Sequence, residues 1–170
     1  MNSDELFPLV DEAGNVVGQA TRRECHSGLM LLHPVVHLHV FNNAGELYLQ
    51  KRSMNKDIQP GKWDTSVGGH VDYGETIEKA LRREAREELG LDCIKPRLLF
   101  KYVFQSNVER ELVNAFAAEV GDDVKITFDP EEIDEGRFWK ISDIEAAMGN
   151  GILTPNFEQE FGRLKVALGL

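Results

Sequence analysis

The sequence predicts an α/β (α+β) fold in which helices pack on a mixed β-sheet, and three patterns support this. Residues 33–42 alternate with the period of a strand and are followed by a turn and a second strand, as in a hairpin. Residues 76–89 repeat apolar positions with the period of a helix. Residues 94–105 and 108–119 have the composition of paired strands.

The flanking segments complete this outline within a length of 170 residues, which suits one domain. We expect residues 1–32 to form an N-terminal extension of short strands and residues 33–165 to form the main domain. A last strand at 136–140 precedes two helical segments, at about 141–148 and 156–168, which glycines and a proline separate.

Charge and cysteine content narrow the class of function. The formal net charge is −10, from 29 acidic and 19 basic residues, which argues against nucleic acid as a partner. A chain this acidic would handle phosphates through bound metal ions. Two cysteines, Cys25 and Cys93, make no disulfide framework, and no 18-residue apolar span occurs. We therefore expect a cytoplasmic protein that does not bind membranes.

Carboxylates on the predicted helix lie where apolar residues are expected. On a helical wheel, Glu84 and Glu88 fall inside the apolar arc, next to Leu81, and Glu87 falls at its edge. An acidic run on a helix is usually a solvated face, and that interpretation suits Glu78. Buried carboxylates instead need a partner, and clustered hard oxygen ligands suit Mg²⁺ or Mn²⁺.

These carboxylates belong to a longer motif. Gly69 and Glu75 are followed, after seven residues, by a run from Arg83 to Leu91 that reads REAREELGL. This resembles the Nudix box, whose pattern is G-x5-E-x7-R-E-U-x-E-E-x-G-U with U apolar, and every fixed position matches. The resemblance extends over about residues 33–165.

The resemblance implies an α/β/α sandwich in which the box forms a loop–helix–loop. It also implies Mg²⁺- or Mn²⁺-dependent hydrolysis of a pyrophosphate linkage in a nucleotide or a nucleoside-diphosphate compound. The implied metal ligands are Glu84, Glu87, Glu88 and the Gly69 carbonyl, with Glu75, Arg83, Gly69 and Gly90 as structural members of the box. The general base stays open among Glu87, Glu88, Glu111 and Glu132.

Outside the box, the chain is similar to the isopentenyl-diphosphate isomerases, a branch of the same superfamily. The matching positions imply a second metal site formed by His26, His33, His70, Glu109 and Glu111. Two departures argue against isomerase activity. Gly68 stands where those enzymes need a proton-donating cysteine, and the isomerase box lacks two helix glutamates that are present here.

Three functions remain as hypotheses: the hydrolase, an isomerase or a relative of it, and a binding module that senses a nucleotide. For each, the partner would be a small phosphorylated molecule, and the N-terminal strands could support a homodimer. Arg52, Trp63 and Tyr73 are further candidates for substrate contact. His37 and His39 are interpreted as hydrogen-bonded structural residues on the first long strand.

Overall fold

The computed structural model describes residues 3–170, and its elements follow the predicted order. The strands are β1 Leu6–Val10, β2 Val16–Thr21, β3 Leu32–Phe41, β4 Leu47–Arg52, β5 Trp63–Asp64, β6 Val67–His70, β7 Arg97–Gln105, β8 Arg110–Glu119 and β9 Ile133–Trp139. The helices are α1 Arg22–Cys25, α2 Ile77–Leu89, α3 Ile141–Ala147 and α4 Pro155–Leu168. The last strand begins three residues earlier than predicted, because Arg52 pairs with Ile133 beyond a bulge.

The main sheet is mixed, as predicted, and β3 is its central strand. Strand β3 pairs in parallel with β8 along its whole length and antiparallel with β6. Strand β7 extends the sheet beyond β8, and β4 carries β5 and β9. Because β3 has helices on both sides, nearly all of its side chains are buried.

The predicted hairpin between β3 and β4 forms only at its tip. Phe41 pairs with Leu47, and the two strands then separate. Beyond this point β3 pairs with β6, whereas β4 pairs with β5 and β9. A local pattern of alternation cannot show this separation, because the strands that replace β4 as partners come later in the chain. The gap between the two groups of strands becomes a cavity.

Helix α2 begins and ends at the residues that the sequence indicates. The Thr76 hydroxyl accepts a hydrogen bond from the Lys79 amide, and Gly90 closes the helix in the left-handed conformation at φ 67°. Ala80, Leu81 and Ala85 are fully buried against apolar residues of β3 and β6. This packing fixes which side of α2 faces the sheet.

The opposite face of the sheet carries the C-terminal helices. Phe157, Phe161 and Leu164 of α4 pack with Trp63 and Trp139 in a second apolar core. The first turn of α4 is capped by the Thr154 hydroxyl, which accepts a hydrogen bond from the Phe157 amide. The sheet is thus enclosed between α2 on one side and α3 with α4 on the other, so the architecture is a sandwich.

Strands β1 and β2 form a separate two-stranded sheet at one end of β3. Phe7 is fully buried there with Ala20 and Cys25, and Val10 packs on Leu32 and Leu112. Helix α1 begins with a capping box, in which the side chains of Thr21 and Glu24 each accept a hydrogen bond from the other residue's backbone amide. In the described part of the chain no helix is long and apolar enough to span a membrane.

The end of α2 provides a test of the packing. At Gly90, a Cβ would lie 2.5 Å from Thr127 Oγ1, whereas at Gly169, which ends α4 at the same φ of 67°, it would meet nothing within 4 Å. We expect Gly90→Ala to lower the free energy of unfolding by about 2 kcal/mol and Gly169→Ala by about 1 kcal/mol. Urea denaturation monitored by tryptophan fluorescence measures both. Equal losses would show that the Thr127 contact costs nothing.

Candidate active site

A cavity of about 770 Å³ occupies the gap between β3 with β6 and β4 with β5. Its lining joins the helix carboxylates, one face of β3 and basic residues from the loops. The residues that line the cavity include Arg22, His37, Gln50, Arg52, Lys56, Gly68, Gly69, His70, Arg83, Glu84, Glu87, Glu88 and Glu111. The sequence predicts many of these separately, and the separation of the strands brings them together.

Glu84 and Glu88 form the carboxylate pair of this cavity. The two carboxyls are close enough to influence each other's ionisation, and Glu88 Oε1 accepts a hydrogen bond from Gln50 Nε2 at 3.1 Å. The other oxygen, Glu88 Oε2, is buried, and no described residue donates a hydrogen bond to it. A side chain at Gly69 would overlap the Glu84 carboxylate, so only glycine lets β6 approach this pair.

Burial makes this pair hard to ionise. Loss of hydration raises the pKa of Glu88 well above 4.5, and the charge of Glu84 raises it further, although the Gln50 amide opposes this. Burial also raises the pKa of Glu84, against the opposing charge of Arg83. A divalent cation would satisfy a buried carboxylate oxygen that lacks a donor. It would also offset the repulsion between two neighbouring carboxylates. The residues at this end of α2 therefore fit a hard cation.

Arg83 holds the box together through a network of hydrogen bonds. Its guanidinium donates to Glu75 at 2.8 and 3.0 Å, to Glu84 at 2.9 Å and to the His70 carbonyl at 3.1 Å. A longer contact of 3.4 Å reaches Glu87, whose side chain is 59% exposed. Arg83 thus ties the loop before α2, the helix and β6 together, which is a bracing role.

A second cluster lies at the end of β3 nearest β1. Ligand atoms of His26, His33, His70 and Glu109 lie within 4.8 Å of one another, and His26 Nε2 is 2.9 Å from Glu109 Oε2. Glu111, the fifth residue predicted for this site, is close by, with Oε2 3.8 Å from His33 Nε2 and 3.7 Å from His70 Nε2. The tertiary structure thus brings together all five predicted residues.

Two histidines of this cluster, His33 and His70, are held neutral, which is the form that binds metals. His33 Nδ1 is 2.9 Å from the Leu31 carbonyl, to which it donates, so Nε2 is left with its lone pair. Burial lowers the pKa of His33, and burial together with the charge of Arg22 lowers that of His70 to about 2. Nε2 of each is buried and finds no hydrogen-bond partner within residues 3–170. Neutral imidazoles with free lone pairs fit a divalent cation.

The N-terminal sheet forms one wall of this cluster. The Phe7 ring stacks on His70 with centroids 4.6 Å apart, and the Arg22 guanidinium lies over the Phe7 ring at 5.2 Å from its centroid. Arg22 also donates to Glu5 at 3.2 Å. Because these residues exclude water from the imidazoles, the predicted extension helps to build the site.

The three predicted substrate contacts differ in position. Arg52 lines the cavity and donates to the Ile58 carbonyl at 3.0 Å. Trp63 is buried against Trp139 at a centroid distance of 5.2 Å, and Tyr73 is 51% exposed at a turn. Among the described residues, the cavity lining includes Arg52 but neither aromatic side chain. Apolar packing accounts for Trp63, and the turn before α2 carries Tyr73 away from the gap.

Sequence reasoning missed Gln50 and Glu160. Gln50 is nearly buried and bridges Glu88 and the Thr65 carbonyl, a role that strand periodicity does not reveal. Glu160 lies among Phe157, Phe161 and Leu164 on the buried side of α4 and is itself 1% exposed. The helical wheel that identified Glu84 and Glu88 would have identified Glu160 as well.

Comparison with known proteins gives the family. The NUDIX domain matches residues 31–157. The chain belongs to the Nudix family. It is 34% identical to an isopentenyl-diphosphate Delta-isomerase of Corynebacterium diphtheriae, over 79% of this chain and 78% of that protein. It is also 34% identical to an uncharacterised Nudix hydrolase of Listeria monocytogenes, over 90% of each.

A solved structure agrees with this assignment. A crystal structure of a Deinococcus radiodurans protein is 30% identical, with a TM-score of 0.77, and the match covers 94% of this chain and 98% of that one. The predicted mixed α/β Nudix fold and the predicted similarity to the isomerase branch are confirmed. This Nudix protein is therefore similar in sequence both to an isomerase and to an uncharacterised Nudix hydrolase.

The raised pKa of the buried Glu88 predicts how the stability of the protein depends on pH. Its raised pKa means that the folded protein keeps this proton to a higher pH than the unfolded chain, so its contribution to stability is lost as pH rises above about 4.5. Gln cannot ionise. In EDTA, we expect Glu88→Gln to match the unaltered protein at pH 5 and to exceed it by about 1–3 kcal/mol at pH 8. Urea denaturation at each pH measures the difference.

The exposed neighbour serves as the control. Glu87→Gln removes a carboxylate one residue away, whose side chain is 59% exposed, so its effect on stability should be within about 0.5 kcal/mol at both pH values. The difference in free energy of unfolding between Glu88→Gln and the unaltered protein should grow from pH 5 to pH 8. A difference that stayed constant would contradict the raised pKa of Glu88.

Proposed function

We propose that this Nudix protein is a Mg²⁺- or Mn²⁺-dependent hydrolase that cleaves a pyrophosphate linkage in a nucleoside di- or triphosphate or a nucleoside-diphosphate compound. The observation that supports it most is the pair formed by Glu84 and Glu88, in which the buried Glu88 Oε2 has no donor among residues 3–170. A carboxylate pair this costly to bury indicates a site built for a cation.

The proposed metal ligands are Glu84, Glu87 and Glu88, with the Gly69 carbonyl as a further candidate. All three glutamates line the cavity. The side chain of Glu87 is the most exposed of the three, and its carboxylate lies 3.4 Å from the Arg83 guanidinium. When bound, the cation would neutralise phosphate oxygens and lower the pKa of a bound water. Gln50 would hold Glu88 in its orientation, and Arg83 would hold Glu84.

The lining of the cavity supports a polyanionic substrate of nucleotide size. Its volume of about 770 Å³ lies within the usual range for small-molecule sites. Arg52 and Lys56 approach it from the loop side and Arg22 from the N-terminal side. Of the candidates for general base, Glu111 is noteworthy because burial and the charge of Glu109 raise its pKa to about 7, close to the working pH.

A comparison of two helix variants tests this proposal. Phosphate release is measured over a panel of nucleotides with Mg²⁺ and with Mn²⁺. Glu88→Gln, which removes one ligand charge, should lower turnover by at least about 100-fold. Glu78→Gln is the matched control, because Glu78 lies on the same helix, is 68% exposed and, among the described residues, forms an ion pair only with Arg82. It should leave turnover unchanged.

The outcomes separate the hypotheses. Turnover lost only in Glu88→Gln supports the helix carboxylates and identifies the substrate class. Turnover that survives in Glu88→Gln would move the chemistry to the histidine cluster. Tight nucleotide binding without hydrolysis under either metal would favour the sensing module instead.

An isomerase is the second candidate, and the cluster of His26, His33, His70 and Glu109 is the observation that favours it. The isomerase from Corynebacterium diphtheriae at 34% identity points in the same direction. Against it, Gly68 offers no proton to a substrate. We expect no isomerisation of isopentenyl diphosphate in the presence of Mg²⁺. Turnover that is lost in His70→Asn but kept in Glu88→Gln would replace the hydrolase by the isomerase.

A further inference from the structure

We propose that His37 is a substrate-binding residue, whose Nε2–H contacts a phosphate oxygen in the cavity, and that Glu160 of α4 is its positioning residue. The inference rests on the proposed function, because it assigns the phosphate contact of that site. It replaces the expectation that His37 is only structural.

A hydrogen bond to α4 fixes the orientation of the His37 ring. His37 Nδ1 lies 2.7 Å from Glu160 Oε1, to which it donates, and the ring therefore turns Nε2 away from α4. His37 lines the cavity, its side chain is 22% exposed, and no residue of the described chain hydrogen-bonds its Nε2. The free nitrogen is thus on the substrate side.

The Glu160 carboxylate favours the charged form of His37. Glu160 is 1% exposed and accepts hydrogen bonds from His37, from His39 Nε2 at 2.6 Å and from the Tyr102 hydroxyl at 2.5 Å. Burial disfavours an imidazolium, but the Glu160 carboxylate outweighs it and raises the pKa of His37 to about 9, with smaller help from Glu111 and Asp64. At neutral pH Nε2 is therefore a donor.

The position of its counter-ion distinguishes His37 from the other cations of the cavity. The other cations that line the cavity in the described chain are held by carboxylates that also line it: Arg22 by Glu5, Arg52 by Asp64, Lys56 by Glu132 and Arg83 by Glu84. His37 differs, because Glu160 lies behind it, outside the cavity lining. The cavity-lining carboxylates Glu111 and Asp64 act on His37 only at longer range, and no carboxylate of the described cavity lining forms an ion pair with it.

Gly68 keeps the space beside this ring open. It pairs with His37 across β3 and β6, and a Cβ there would lie 3.5 Å from His37 Cδ2 and 3.8 Å from Nε2. A longer side chain at this position would stand in front of the donor. The missing side chain at residue 68, which argues against an isomerase, thus gives an anion access to His37.

The test uses methylenediphosphonate, a diphosphate that cannot be hydrolysed, titrated with Mg²⁺ into the full chain at pH 7.5 by calorimetry. His37→Gln keeps a donor for Glu160 but loses the charge, and should weaken binding by about 10- to 100-fold. Gly68→Val leaves the His37–Glu160 pair in place but fills the approach, and should weaken binding similarly. His39→Gln is the control, because His39 contacts Glu160 but is fully buried outside the cavity lining. It should retain affinity within about threefold.

Each outcome decides the inference separately from the proposed function. Weak binding by both His37→Gln and Gly68→Val supports it, even if no nucleotide is hydrolysed. Equal binding by His37→Gln and the unaltered protein overturns it, even if hydrolysis depends on Glu88. Failure of the unaltered protein to bind the diphosphonate also overturns it. Thermal melting of each variant shows that binding is compared between folded proteins.

Discussion

The cost of burying negative charge is the constraint on which the rest of this structure depends. Glu84, Glu88, Glu111 and Glu160 all lie at or near the central strands, where loss of hydration raises the pKa of a carboxyl unless a partner compensates. Partner groups offset the cost of ionising these four carboxyls to different extents. That inequality distinguishes a structural carboxylate from one suited to a ligand.

Glu160 is fully compensated. Burial opposes its ionisation, but the charge of His37 and the hydrogen bonds from His37 and His39 hold its pKa well below the usual range. Glu88 is compensated only in part, because the Gln50 amide serves one oxygen and the other finds no donor in residues 3–170. A cation that bound this oxygen would stabilise the folded protein.

Strand β3 links the two parts of the site. Its separation from β4 opens the cavity, and the residues along one of its faces run from His33 in the histidine cluster to His37 beside Gly68. Both are turned by hydrogen bonds to groups outside the cavity, His33 by the Leu31 carbonyl and His37 by Glu160. One strand thus presents a neutral imidazole at one end and a charged imidazole four residues later.

Much of this protein was predictable from local sequence. Alternation identified β3, a helical period with Thr76 and Gly90 identified α2, and fixed spacing identified the box. The wheel placed Glu84 and Glu88 on the buried side of α2 because a helix repeats every 3.6 residues wherever it packs. The matched spacing also selected His26, His33, His70, Glu109 and Glu111, which the fold brings together.

Periodicity and spacing, which are local properties, therefore determined the elements, the family and the acidic and histidine residues of the site. The tertiary structure alone decided that β3 and β4 separate, that Trp63 packs in a core, and that Gln50 meets Glu88. It also joined His37 to Glu160, which is 123 residues away in the chain. Such contacts depend on which strands pair and which helix covers which face, and the free energy of those choices is summed over the whole core.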